Sequence, residues 1–202
     1  MTAPKKARRC GLSQGPNVSK KVDDKRGEGV IGWVLYEKVN AKTKENIMTD
    51  VESTLPASVV SVSNAAQLAL AFDIRREVFI EEQGVSEAEE IDGLDAVCDH
   101  VLYMAQGQAV ATGRLRVVEE SGVKWGKIER IAVRKTWRGQ GLGKAIVEGL
   151  VALGQHPHQL RHFKLGSQCD AIPFYEKLGF EAYGDIFLDA RIPHRMMKKV
   201  LP

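Results

Sequence analysis

The segment with the most chemistry to offer is Arg138-Gly139-Gln140-Gly141-Leu142-Gly143-Lys144, set between a β-branched run and a strongly periodic apolar stretch. Its glycines let the backbone approach a ligand closely. A helix starting here presents unpaired N–H groups, and its dipole favours an anion at that end. Arg138 and Lys144 add formal positive charge. The combination predicts a cradle for a diphosphate. Spacing excludes two other glycine loops. A Walker loop needs glycine where Arg138 stands and Ser or Thr where Ala145 stands, and a dinucleotide fingerprint needs a third glycine in place of Lys144.

The elements that must position this loop follow from periodicity. Leu142, Ala145, Ile146, Gly149, Leu150 and Leu153 recur at helical spacing after the loop, with Gly154 as the expected stop. Upstream, Ala57–Ser61 reads as a strand. Asn64 with Gln67 marks a helix start of capping-box type, and Leu68, Phe72 and Phe79, with Leu70, Ile74 and Val78 beside them, form its expected apolar face up to Gly84. An acidic loop, Glu87 to Asp95, precedes strands over 101–105, 109–118 and 124–133, with Glu120-Ser121-Gly122 as the turn between the last two. A strand over 160–165, a helix over 171–178 with Pro173 in its first turn, and strands over 180–183 and 195–200 complete the order. This order predicts an α/β fold, a mixed sheet flanked by helices.

Three motifs in this order resemble the GCN5-related N-acetyltransferase (GNAT) superfamily. Arg138-x-x-Gly141-x-Gly143 matches its Arg/Gln-x-x-Gly-x-Gly/Ala acyl-CoA signature. Ile128-Glu129-Arg130-Ile131-Ala132-Val133 is similar to the preceding strand, and it also resembles that strand in glucosamine-6-phosphate N-acetyltransferases. Gln168-x-x-Ala171-x-x-Phe174-Tyr175-Glu176-Lys177-Leu178-Gly179-Phe180 is similar to the second coenzyme-side segment, with Gln168 where asparagine is usual. Ile192-Pro193-His194-Arg195-Met196-Met197 resembles the close of a small branch of the family. The resemblance spans about residues 57–200.

That resemblance implies a mostly antiparallel sheet whose strands splay at the coenzyme site, acetyl-CoA as co-substrate, no metal, and direct attack by a primary amine in a ternary complex. Backbone of Ile131, Ala132 and Val133 would hold the pantetheine arm, Arg138, Gly139, Gln140, Gly141, Leu142, Gly143 and Lys144 the diphosphate, and Gln168 and Phe174 the same side. Tyr175 matches the tyrosine whose hydroxyl meets the departing sulfur, ring packing in the core being the alternative. Glu129 is the candidate base, placed by period-two alternation on the face of Ile131 and Val133; pairing with Arg116 or Arg130 is its alternative role. Acceptors compatible with the motifs are a small-molecule amine or sugar phosphate, and a protein or peptide amine; a non-catalytic coenzyme-binding module is the reading from another class. A sugar phosphate would require Arg75, Arg76, Arg114, Arg116 and Arg191 to converge. Homodimerisation is a further implication of the resemblance.

His194 and His100 are candidates to face the acceptor. Cys169 has no base beside it in sequence and is not expected to act as a nucleophile. The group His156, His158 and His162 reads as surface rather than metal site, and the acidic residues from Glu81 to Asp95 as either a lure for a cationic amine or a solvated loop.

Composition bounds the rest. At 202 residues and 44% hydrophobic, the chain suits one core plus an extension. Residues 1–47 carry eleven Lys/Arg against five Asp/Glu, while the remainder carries eighteen against twenty-one. A basic extension over 1–56, predicted to be disordered, thus precedes a domain over 57–202. The isolated patch Val30–Tyr36 and the alternative start at Met48 fall within that extension. Cys10, Cys98 and Cys169 have neither zinc spacing nor a disulfide framework. No apolar run is long enough for a membrane span, and the basic arm lacks the interleaved aromatics of a nucleic-acid binder. A cytoplasmic protein is expected, a mitochondrial address being the alternative.

Overall fold

The computed structural model describes residues 56 and 58–202. The extension, with Val30–Tyr36, Met48 and Cys10, lies outside the described residues. Seven strands form one open sheet in the order β1-β2-β3-β4-β5-β7-β6. They are β1 (Val59–Ser61), β2 (Asp99–Ala105), β3 (Gln108–Glu120), β4 (Val123–Val133), β5 (His162–Gln168), β6 (Glu181–Asp189) and β7 (Ile192–Val200). Every neighbouring pair is antiparallel except β4 and β5. The expected mixed, mostly antiparallel sheet is therefore present, with longer strands than periodicity indicates. Strand ends rich in charge, such as Val118-Glu119-Glu120, bury nothing and so leave no apolar signal.

On one face α1 (Ala65–Arg75) begins where Asn64 accepts from the Gln67 backbone N–H (2.9 Å). The Gln67 side chain accepts from the Ser63 backbone instead (2.7 Å), one residue upstream of a strict capping box. The helix runs on as π-helical turns over Arg76–Glu82 and stops before Gly84. Its buried stripe is Ala71, Ile74, Arg75 and Val78; Ile74 and Val78 belong to the expected face, whereas Leu68, Phe72 and Phe79 are only partly buried and Leu70 is exposed. An arginine replaces an apolar residue in that stripe, so hydrophobicity alone misplaces it.

On the other face α3 (Leu142–Gln155) packs Ile146, Leu150 and Leu153 against Leu115, Ile128 and Phe163. Gly154 is inside this helix rather than beyond it. A Cβ there would fall 2.5 Å from the Phe163 ring, so the glycine is a packing requirement and not a stop. The short helix α4 (Ile172–Glu176) follows a 3₁₀ turn over Cys169–Ala171, and α2 (Glu87–Glu90) orders the acidic segment. Ser86 and Glu89 form the capping box of α2.

Two sheet irregularities shape the site. β4 and β5 pair only over Trp125–Lys127 and His162–Lys164, and beyond that point they diverge. β4 also bulges against β3: Thr112 faces Ala132 while Arg114 faces Glu129, so Gly113 stands opposite two residues. Arg130 supplies the bulge with φ 55°.

Candidate active site

The divergence of β4 from β5 opens a cleft of about 650 Å³, lined by Ile128, Glu129 and Ile131 of β4, Gly166 and Gln168 of β5, Tyr175 of α4 and His194 of β7, among others. Past Lys127, β4 has no strand partner on its β5 side among the described residues. Its backbone there is available to an extended ligand, which is the splay expected from the resemblance.

At the end of β4 the loop meets α3. Gly139 (φ 78°) and Gly141 (φ 83°) both adopt left-handed conformations, and a Cβ on either would meet nothing within 4 Å. The loop is therefore open above, and glycine is needed for its turn. Gly141 is the helix N-cap without a side-chain cap, and the first intrahelical bond is Ala145 N–H to Gly141 (3.1 Å). The N–H groups of residues 142–144 are consequently left for an external acceptor. Leu142 contributes backbone only, because its side chain is buried. Gly143 lies against the Phe174 ring, 3.5 Å from where a Cβ would sit, so this position has space for a small side chain. The geometry fits a diphosphate.

The two cations of the loop differ from the expectation. Arg138 makes a paired contact to Glu82 (2.7 and 2.6 Å) and donates to the Val133 carbonyl (3.0 Å). Its charge is offset, and one of the carbonyls assigned to the pantetheine arm is already engaged. Lys144 is exposed, with Glu148 at 3.7 Å, and is the less tightly paired of the two loop cations. Gln168 donates to the Gln83 side chain (3.1 Å), bridging β5 to the end of the π-helical turns across the cleft.

Tyr175 lies against Phe174 and Phe180 with edge-on rings at 4.9 and 6.0 Å. Burial alone pushes its phenol up to about 12. It stays protonated across any working pH and can donate a hydrogen bond to an anion in the cleft. The ring packs against the core, and the residue also lines the cleft.

Glu129 departs most from expectation. The bulge at Arg130 reverses the alternation, so Ile128, Ile131 and Val133 pack on the α3 side, whereas Ala132 and Glu129 belong to the α1 side. Glu129 contacts Arg114 (2.8 Å), Arg116 (3.2 Å) and Lys127 (2.7 Å). These cations outweigh burial and hold its carboxyl at about 2. A carboxylate so stabilised is a poor acceptor for a substrate proton. Of its two expected partners, Arg116 is real and Arg130 is not.

The acidic segment is divided: Glu81, Glu82, Glu87 and Glu89 are exposed, whereas Glu90 and Asp95 are buried in an ion network. Buried Arg75 holds Glu90 and Asp95, and buried Arg114 holds Asp92 (2.6 Å) and Asp95 (3.1 Å) as well as Glu129. Arg130 adds contacts to Glu90 (3.0 Å) and Asp92 (3.4 Å). Hence the five arginines proposed for an anionic acceptor do not converge. Arg75 and Arg114 are consumed here, Arg76 and Arg191 pair with Glu87 and Glu89, and of the five only Arg116 lines the cleft. His100 is buried beside Asp95, its charged form disfavoured by that burial. His158 pairs with Asp99 (2.7 Å) and His162 packs on Trp125. Cys169 opens the 3₁₀ turn, and no group of three or more His, Cys, Asp or Glu among the described residues is placed to hold a metal.

The network has a pH consequence. Asp92 and Asp95 are held below their ordinary values by arginine contacts overcoming burial, and Glu129 by Lys127 first and then Arg116 and Arg114. Such groups stabilise the fold above the unfolded carboxylate range, about pH 4, and lose that contribution as pH falls through the folded values. Urea midpoints should not fall between pH 7 and about 5, where the raised carboxyl of Glu90 works in the opposite sense, and should then drop steeply toward pH 2; a profile with no fall down to pH 2 would refute the assignment.

Residues 77–201 match the family model described as the acetyltransferase (GNAT) domain. The uncharacterized protein YyaT of Bacillus subtilis (strain 168) is 41% identical over 145 residues, covering 70% of this chain and 95% of that protein. The uncharacterized N-acetyltransferase YjcF of the same organism is 38% identical over 141 residues, covering 69% and 97%. The crystal structure of an acyl-CoA N-acyltransferase from Pseudomonas aeruginosa superposes with a TM-score of 0.62 at 26% identity, covering 70% of this chain and 99% of that one. Among the described residues, no helix is long and apolar enough to cross a membrane. With the splayed strands and Tyr175 in one cleft and the open glycine loop beyond the end of β4, these likenesses have one meaning: the chain belongs to the GNAT acetyltransferase family.

Proposed function

We propose that this protein transfers the acetyl group of acetyl-CoA to the primary amine of a small molecule by direct attack in a ternary complex. The observation that carries the reading is the cleft itself, which joins the unpaired stretch of β4 and Tyr175 in one space, with the glycine loop following the end of β4 after the turn Lys135–Trp137. Backbone N–H groups at the start of α3 take the diphosphate, and Lys144 adds charge. The free edge of β4 takes the pantetheine arm and orients the thioester, so that proximity supplies much of the rate. As the C–S bond breaks, the Tyr175 hydroxyl donates to the departing sulfur. Glu129 fixes Arg116 and Lys127 along the cleft wall. Volume favours a small acceptor: about 650 Å³ must hold the reactive end of the thioester as well.

The test is thiol release from acetyl-CoA on addition of a panel of primary amines. Tyr175→Phe should lower kcat roughly 10²-fold, the lower end for a lost proton donor, with acetyl-CoA binding unchanged. Amine-independent thiol release, or full activity in Tyr175→Phe, would contradict the mechanism.

A further inference from the structure

We propose that His194 is the general base that takes the proton from the acceptor ammonium. The assignment rests on the N-acetyltransferase reading above and fills the role that Glu129 cannot. An alkylammonium cannot attack a thioester until it loses a proton, since its pKa lies near 10. Some group in the cleft must therefore offer a free lone pair.

His194 is built to do so. It stands on β7 opposite Gln168, at the end of β5 where the cleft opens, and it lines that cleft. Its Nδ1 lies 2.8 Å from the Ile192 carbonyl oxygen. A carbonyl can only accept, so Nδ1 carries the proton and the lone pair is left on Nε2. The ring stacks on Phe187 at 5.9 Å and 28°, and Phe187 in turn covers Gly166, 3.5 Å from where a Cβ would sit. Backbone contact and stacking together fix the ring and its tautomer.

Every carboxylate of the cleft except Asp189 is engaged, Glu90 by Arg75 and Arg130. Arg114, Arg116 and Lys127 hold Glu129, Lys164 holds Glu120, and Ser86 with Arg191 holds Glu89. Asp189 stands exposed in water at the outer end of β6. His100 is buried behind the Arg75 and Arg114 network.

In the step itself, Nε2 takes one proton from the ammonium, and the freed amine nitrogen bonds to the acetyl carbonyl carbon. The C–S bond then breaks with its electron pair on sulfur, which Tyr175 meets with a hydrogen bond. The nitrogen sheds its second proton as the amide forms. One of the two protons ends on the coenzyme thiol, and the other passes from His194 to solvent.

His194→Asn keeps a donor for the Ile192 carbonyl but has no basic nitrogen. Ethylamine and methoxyamine have nearly the same shape, yet only ethylamine is charged at neutral pH. The ratio of ethylamine to methoxyamine turnover should fall about 10²-fold in the variant, as expected for loss of a general base. An unchanged ratio, whether both activities fall together or neither does, overturns the proposal. The ¹⁵N spectrum of histidine-labelled protein needs no acceptor. It should show neutral His194 protonated at Nδ1, and protonation at Nε2 overturns the proposal even if neither amine is used. Failure to bind acetyl-CoA at all would instead count against the N-acetyltransferase reading.

Discussion

Replacing Arg114 by alanine should cost about 3–5 kcal/mol of unfolding free energy, the range for breaking one side of a buried ion network. Arg114 is fully buried and is the common partner of Asp92, Asp95 and Glu129. Its removal leaves Asp95, itself buried, with Arg75 as its remaining arginine, and it leaves the Glu129 end without its innermost cation. Against a typical total of roughly 5–15 kcal/mol this is a large share. Arg116→Ala is the internal comparison. It touches the same carboxylate from a position 28% exposed and should cost about 1 kcal/mol or less. Urea denaturation reads both. Equal effects of the two substitutions would show that the network does not hold α2 to the sheet.

The network is uneven. Burial outweighs Arg75 and Arg130 at Glu90 and raises its carboxyl, while at Asp95 the arginines prevail. Glu90 thus opposes folding at neutral pH even as it neutralises Arg75.

What the sequence revealed and what it hid divide along contact range. The glycine loop, the Asn64 cap and the α3 stripe are set by residues within a few positions of one another, so composition and spacing expose them. The order of elements follows from the same local signals. The buried partners of the acidic segment lie far away in sequence, fifteen residues from Arg75 to Glu90 and twenty-two from Asp92 to Arg114, with Arg130 farther still, and no local pattern encodes them. The bulge is hidden for a second reason. Left-handed backbone usually announces itself through glycine, but in β4 it falls on Arg130. Alternation counted through that point puts Glu129 on the wrong face. One hint existed: Glu129 lies between Lys127 and Arg130 in a strand facing Arg114 and Arg116, a charge pattern better suited to an ion cluster than to a free base. A base at His194 depends on a carbonyl two residues before it and a ring on the neighbouring strand, and only the folded hairpin brings these together.

Everything proposed for the chemistry depends on the start of α3 being the site of the acetyl-CoA diphosphate. Gly143 is the place to challenge it. Gly139 and Gly141 need left-handed backbone, so any substitution there strains the loop whether or not a ligand binds. Gly143 does not, and a Cβ there meets Phe174 at an ordinary 3.5 Å. Gly143→Glu therefore adds a carboxylate beside the unpaired N–H groups with little demand on the fold. It should repel the diphosphate and compete for its donors. Losing two charge-assisted hydrogen bonds alone would remove about 3–6 kcal/mol, or roughly 10²–10⁴ in affinity. The decisive measurement is calorimetric titration of acetyl-CoA into the parent and into Gly143→Glu, with thermal unfolding as a check that both are folded. Binding at micromolar Kd by the parent, and none detectable in the variant at the same concentrations, is the predicted result. Undiminished binding by the folded variant, or no binding by the parent, would contradict a diphosphate site at the start of α3.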